Sequence, residues 1–151
     1  MKKKKQIKKR LGPPLKLQEM GETHIFAPRW VPKEVLALFK TAVKTMMGSM
    51  TLSDYLRIRV VNEAARRLPG KEYPQVYCTW NGHIDWTKYS WIKDPEDKTF
   101  SITLVHYPVD AWEIFAHNCA VEGVQPAHKI CGYMVDAIIE YFRYKKERKL
   151  A

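Results

Sequence analysis

Cysteine and long apolar segments are scarce in this sequence. It has three cysteines among 151 residues, with no C-x-x-C pair. An odd number of cysteines without close pairs argues against a disulfide framework, so we expect a reducing, cytoplasmic location. No run approaches the roughly 18 apolar residues of a membrane-spanning helix, and no apolar signal-peptide core follows the basic N-terminus. We therefore expect neither a membrane anchor nor a secretory leader.

Catalytic and metal-binding motifs are also missing. The sequence contains no G-x-x-x-x-G-K-[ST], G-x-S-x-G or H-E-x-x-H. His117, Cys119, His128 and Cys131 would supply two nitrogen and two sulfur ligands for zinc. Both cysteines, however, occupy apolar positions of helical patterns, where free cysteine behaves as a small apolar residue. We expect no enzyme activity, no metal and no cofactor.

Acidic residues are outnumbered. The chain has 26 Lys and Arg against 16 Asp and Glu, a formal charge of +10. Much of this excess lies in the first 16 residues, which contain no acid; the basic residues there are Lys2, Lys3, Lys4, Lys5, Lys8, Lys9, Arg10 and Lys16. Because Gly12-Pro13-Pro14 blocks a helix, we predict a flexible basic arm over residues 1–21. Such an arm binds DNA phosphates by releasing counterions; the alternative is a solvated tail.

The stretch from His24 to Leu68 contains the clearest pattern. His24 to Val31 is extended in character, and apolar residues then recur at helical spacing from Val35 to Met46. Gly48 ends that helix, and Thr51-Leu52-Ser53-Asp54 has the form of a capping box that begins a second one. A strand and two helices of this size bury too little surface to fold alone.

A second copy of the pattern occupies Phe100 to Phe142. Placing Pro108 under Pro32 aligns the apolar helix faces, with a one-residue deletion at the turn. The aligned pairs include Phe39 with Phe115, Val43 with Cys119, Gly48 with Gly123 and Leu56 with Cys131. A match through both helices indicates a tandem repeat.

The element order and two local runs resemble the ribbon-helix-helix DNA-binding family of the Arc and MetJ repressors. The runs are Arg29-Trp30-Val31-Pro32-Lys33-Glu34-Val35-Leu36 and Gly48-Ser49-Met50-Thr51-Leu52-Ser53-Asp54-Tyr55-Leu56-Arg57. In that family two copies pair their strands into an antiparallel ribbon that enters the major groove. Two copies in one chain resemble the tandem accessory proteins of T-DNA transfer. The resemblance implies a helix-dominated α+β fold, in which repeats at 22–68 and 100–151 form an intramolecular pseudo-dimer that shares a two-stranded ribbon.

Strand alternation divides the ribbon into two faces. We expect His24, Phe26 and Trp30, and in the second strand Phe100, Ile102, Leu104 and His106, to face the helices. The outward, base-contacting residues are then Ala27, Arg29, Ser101, Thr103 and Val105. Arginine reads guanine edges, serine and threonine read permissively, and small apolar groups meet thymine methyls. The family's ribbon face is richer in long polar side chains, which leaves open a ribbon surface that contacts no base.

The resemblance also implies phosphate contacts at the starts of the second helices, where free N–H groups and the helix dipole favour anions. In the first repeat these residues are Ser49, Thr51 and Ser53. In the second they are Gln125, His128 and Lys129, with Pro126 at the favoured first helical position.

Residues 69–99 form an insertion rich in aromatic residues. An Asn81-Gly82 turn inside Gln75 to Trp86 predicts a β-hairpin. Its aromatic rings either stack on single-stranded bases or cover a core, which we favour. The resemblance implies a double-stranded DNA-binding protein, associated with DNA in the cytoplasm as a monomeric pseudo-dimer or a higher assembly. It would act as a transcriptional regulator or a plasmid, phage or DNA-transfer accessory factor. The alternatives are a protein-interaction module, antitoxin-like or an assembly adaptor, and an RNA-binding protein.

Overall fold

The computed structural model describes residues 21–66, 76–77, 83–101 and 104–150. Residues 1–20 of the predicted basic arm, the Asn81-Gly82 turn and Thr103 lie outside the described residues. Within these ranges the protein has the predicted class, a helix-dominated α+β fold with four α-helices and short antiparallel strands. None of the helices in this part of the chain is long and apolar enough to cross a bilayer.

Both halves of the chain have the same order of elements, two short strands followed by two α-helices. The first half contains β1 (Thr23–Phe26), β2 (Arg29–Pro32), α1 (Lys33–Met47) and α2 (Leu52–Arg66). A short 3-10 turn, Trp86–Lys88, lies in the insertion. The second half contains β3 (Lys98–Ser101), β4 (Val105–Pro108), α3 (Val109–Glu122) and α4 (Pro126–Leu150).

The strands form two antiparallel ladders that follow one another along the same two chain segments, which we call the ribbon. β1 pairs with β4, so that Phe26 lies opposite Val105, and β2 pairs with β3, so that Arg29 lies opposite Ser101. Between the ladders the first segment has one residue fewer than the second, and the register therefore shifts by one. Pro28, which cannot donate to a ladder, lies in this gap.

The helices pack mainly between the two halves. α1 contacts chiefly α4, and α2 contacts chiefly α3, whereas the two helices of one half contact each other less. Their apolar faces form one core, as the periodicity predicted. Its fully buried members include Val35, Phe39, Val43, Leu56, Val60, Phe115, Cys119, Ile130, Met134 and Ile138. Burying side chains of this size stabilises a fold by about 1.5–3 kcal/mol each, so each half depends on the other for its core.

Local signals end and begin the helices where the sequence predicts. Gly48 after α1 and Gly123 after α3 have φ of +70° and +75°, a region that glycine tolerates and other residues rarely adopt. At α2 the Asp54 amide donates to Thr51 Oγ1 (3.1 Å) and the Thr51 amide donates to Asp54 Oδ2 (3.3 Å). The capping box is thereby confirmed, with aspartate in the place of glutamate.

The described part of the insertion covers the core. Trp86, Tyr89 and Ile92 are buried and belong to the same apolar cluster as the helices. The Trp91 ring lies 5.7 Å from the Phe142 ring of α4. The prediction that the aromatic rings cover a core is confirmed for Trp86, Tyr89 and Trp91, whereas Tyr77 is 55% exposed.

Candidate nucleic-acid interface

The inner side of the first ladder is aromatic. The His24 ring stacks on Trp112 of α3 with centroids 4.7 Å apart, and the Phe26 ring lies 4.9 Å from the same indole. Tyr107, opposite His24, and Val105, opposite Phe26, are both buried on this side. Residues directly opposite in an antiparallel pair share a face, so the helices pack on the side formed by these four residues, of which only His24 stays exposed.

The predicted faces of β4 are therefore wrong. Val105, predicted to contact bases, is 1% exposed and lies in the core. Leu104, predicted to face the helices, is 63% exposed, and His106 lies on the outer side opposite Ile25. The physical reason is the register shift between the ladders. With regular alternation from Ser101, Val105 would lie on the same side of the ribbon as Arg29. The second segment has one residue more than the first between the ladders, so Val105 lies on the opposite side, which faces the helices.

The faces of β2 also differ from the prediction, because alternation stops at Trp30. This residue has a φ of +61° and is 52% exposed, although it was expected to face the helices. The next residue, Val31, is fully buried instead. A left-handed residue turns the chain out of the pleat that puts neighbouring side chains on opposite faces.

The predicted base-contacting residues are thus only partly together. Arg29 is exposed, as expected, and lies opposite Ser101 in the second ladder. Ala27 is half-buried in the gap between the ladders. The side chain of Ser101 and the whole of Thr103 lie outside what the structure describes.

The predicted phosphate-contacting residues divide in the same way. Ser49 and Thr51 are exposed and Ser53 is half-buried around the start of α2, while Gln125 is exposed and His128 is half-buried at the start of α4. These positions remain compatible with the prediction.

The prediction that Lys129 contacts phosphate is wrong, because this side chain is fully buried. Its Nζ lies 2.6 Å from Glu122 Oε1 at the end of α3 and 3.6 Å from Glu63 Oε2 in α2. An ammonium group held between two carboxylates inside the helix bundle does not reach a phosphate at the surface. The sequence showed only a lysine in the first turn of a helix and no sign of these partners.

A cavity of about 370 Å³ lies where the ribbon, the insertion and the start of α4 meet. We call it the ribbon cleft. It brings together two predicted base-contacting residues of the ribbon, Ala27 and Arg29, and two predicted phosphate-contacting residues of α4, Gln125 and His128. Ser49, Thr51 and Ser53 do not line it.

Two further residues of the ribbon cleft, His83 and Lys98, were missed by sequence reasoning, and Trp30 lines the cleft although it was expected to face the helices. Lys98 was placed in the insertion because the second strand was expected to begin at Phe100. The acidic turn Asp94-Pro95-Glu96-Asp97, directly before it, marked the earlier start. The first turn of α4 adds the positive end of a 25-residue helix. Cationic side chains, a helix N-terminus and an exposed indole suit a polyanion with planar groups.

Arg57 fastens the ribbon to α2. Its Nε donates to the His106 carbonyl oxygen (2.8 Å), and its Nη1 donates to Asp54 Oδ1 (2.8 Å). One buried guanidinium thus connects β4 to the capping box of α2, which sets the position of that helix start relative to the ribbon.

Neither of the two cysteines that the structure describes is a reactive thiol. Cys119 and Cys131 are free and buried. Burial raises the pKa of the Cys119 thiol to about 12 and also raises the pKa of the Cys131 thiol, so neither is a thiolate at neutral pH. In the part of the chain that the structure describes, no group of three or more histidine, cysteine or acidic side chains could hold a metal ion.

The ribbon and its cleft are therefore the arrangement from which a function can be inferred. No protein-family model, curated protein sequence or solved structure matches this chain.

Proposed function

We propose that this chain is a single-chain tandem ribbon-helix-helix protein that binds double-stranded DNA through its ribbon. The observation that carries the proposal is the reciprocal packing of α1 on α4 and α2 on α3 beside an antiparallel ribbon. In a pair of strand-helix-helix units, each unit covers the apolar helix faces of the other. The same reciprocal packing is possible when both units belong to one chain. The element order, which is the same in both halves, supports the same reading.

The outer side of the ribbon supplies the groove-facing residues in this proposal. A two-stranded ribbon fits the major groove of B-DNA. Arg29 pairs with a guanine edge, and Trp30, Ile25 and Leu104 make apolar contacts of the kind that thymine methyl groups offer. Ala27, Ser101 and Thr103 remain candidates beside them, whereas Val105 does not.

Two groups of residues near the ribbon supply the phosphate contacts in this proposal. The ribbon cleft offers Lys98 from β3 and Gln125 and His128 from the start of α4. The start of α2, which Arg57 connects to β4, offers Ser49 and Thr51. These contacts, with the basic arm, would position the protein, while the ribbon distinguishes sequences. Because the two strands differ, the preferred site need not be a palindrome.

Selection of bound sites from random duplex DNA tests the proposal. We expect one asymmetric motif to be enriched. Arg29→Ala should then lower the discrimination between the motif and a mismatched duplex by about 1–3 kcal/mol, measured by fluorescence anisotropy. Lys40→Ala, which removes one exposed charge from the outer side of α1, is the matched control. If no duplex is enriched, or if the two variants discriminate equally well, the ribbon does not read DNA.

A protein-interaction module is the second candidate function. Ile25, Trp30 and Leu104 are large apolar side chains exposed on the ribbon, and exposed apolar groups in one region are also typical of protein docking. The same selection separates the two functions, because a ribbon that only docks a protein enriches no duplex.

A further inference from the structure

A second open cavity, of about 690 Å³, lies at the other end of α4. We call it the C-terminal groove. Its aromatic walls are Tyr141, Phe142 and Tyr144, and the last turn of α1 closes one side. With 1.5 Å of rise per residue, Tyr141 lies roughly 20 Å along α4 from His128 in the ribbon cleft. The groove is therefore separate from the ribbon.

Positive charge surrounds the C-terminal groove. Lys145, Lys146 and Arg148 line it and are exposed. The acids nearby on α4 are Glu140, which pairs with Arg143 at 3.2 Å, and Glu147. Lys44 adds a cation in the last turn of α1. The balance of charge at this end of the helix is positive, which suits an anionic ligand.

The cations and the rings share one face of the helix. Lys145 Nζ lies 5.0 Å from the centre of the Tyr141 ring, and the Arg148 guanidinium lies 5.5 Å from the centre of the Tyr144 ring. Both tyrosine rings are half-buried rather than enclosed in the core. Each tyrosine ring thus has a cation over one of its faces, at a groove that is open to solvent.

We infer that the C-terminal groove binds single-stranded nucleic acid. Unpaired bases stack on aromatic rings while lysine and arginine contact the phosphates, and both kinds of group are present here within roughly 10 Å of helix. A duplex hides its base faces and would use the cations alone, so the rings favour a single strand. This site is independent of the ribbon and would allow one chain to hold a duplex and a single strand together.

Fluorescence anisotropy of a labelled oligo-dT with the full chain tests the inference. The double variant K145Q/R148Q should weaken oligo-dT binding at least about fivefold relative to the control K88Q/K93Q, which removes two exposed charges from the insertion. Y144L should weaken oligo-dT binding as well. Y144F should bind oligo-dT like the wild type, because phenylalanine keeps the ring. Thermal melting of each variant reports whether it is folded.

Each contrary outcome has a definite meaning. If K145Q/R148Q and K88Q/K93Q weaken oligo-dT binding equally, only net charge matters and the inference is wrong. It is also wrong if Y144L binds oligo-dT like the wild type, or if K145Q/R148Q loses only binding to phosphatidylserine vesicles. Should the full chain enrich no duplex while the oligo-dT results hold, the ribbon proposal fails and the groove stands.

Discussion

Trp30 holds a backbone conformation that most side chains avoid. Its φ of +61° lies in the left-handed region, which costs an L-residue about 1–2 kcal/mol. The conformation buries Val31 and exposes the indole at the ribbon cleft. Strain of this kind persists where the surrounding structure enforces it, and it often occurs at functional positions.

Two substitutions separate the strain at Trp30 from the role of its ring. Trp30→Gly and Trp30→Ala both remove the indole, but only glycine adopts a positive φ without a steric penalty. We therefore expect the Gly variant to be more stable than the Ala variant by about 1 kcal/mol in urea unfolding, and both to lose duplex affinity to the same extent. An Ala variant as stable as the Gly variant would mean that the left-handed conformation is not enforced.

At the scale of the elements, the helices followed from local pattern and the ribbon did not. Apolar spacing from Val35 to Met46, the turn at Gly48 and the capping box at Thr51 are signals within one or two turns of chain. All three correspond to observed features of α1 and α2. The strand predicted from His24 to Val31 is instead divided into β1 and β2, with Pro28 and the register shift between them. The pairing partner of each segment, which decides this register, is far away in the sequence.

Three helices are held together by the buried cation of α4. Lys129 contacts Glu122 of α3 and Glu63 of α2, and all three side chains are less than a tenth exposed. We expect Lys129→Met to lower the free energy of unfolding by about 3–5 kcal/mol, because it removes the ammonium group that lies between two buried carboxylates. Urea unfolding of the full chain measures this.

The matched variant for Lys129 removes the carboxylates as well. Lys129→Met combined with Glu63→Gln and Glu122→Gln should regain most of the lost stability, since no uncompensated buried charge remains. If Lys129→Met alone proved as stable as the wild type, the lysine would lie near the surface. The prediction that it contacts phosphate would then be possible again.

At the scale of the whole molecule, the halves depend on each other. α1 packs mainly against α4, and α2 packs mainly against α3. In each ladder, one strand belongs to the first half of the chain and the other to the second half. A fragment of residues 20–68 would expose its apolar helix faces and an unpaired strand edge.

We therefore expect that fragment to be unfolded, or to dimerise with itself, while the full chain folds as a monomer. Circular dichroism with sedimentation equilibrium distinguishes these states, and the full chain serves as the control. A fragment that melted cooperatively as a monomer would contradict the pseudo-dimer.

The sequence by itself determined the class of the fold, the helices, the core positions such as Phe39, Phe115 and Cys131, and the capping box. These features depend on periodicity and on hydrogen bonds between near neighbours, which are local. Only the tertiary structure decided which side of β4 faces the helices, that Trp30 turns outwards and that Lys129 is buried. Each of these depends on partners elsewhere in the fold, in the opposite strand of the ribbon or on other helices, and the spacing of residues along one segment does not record them.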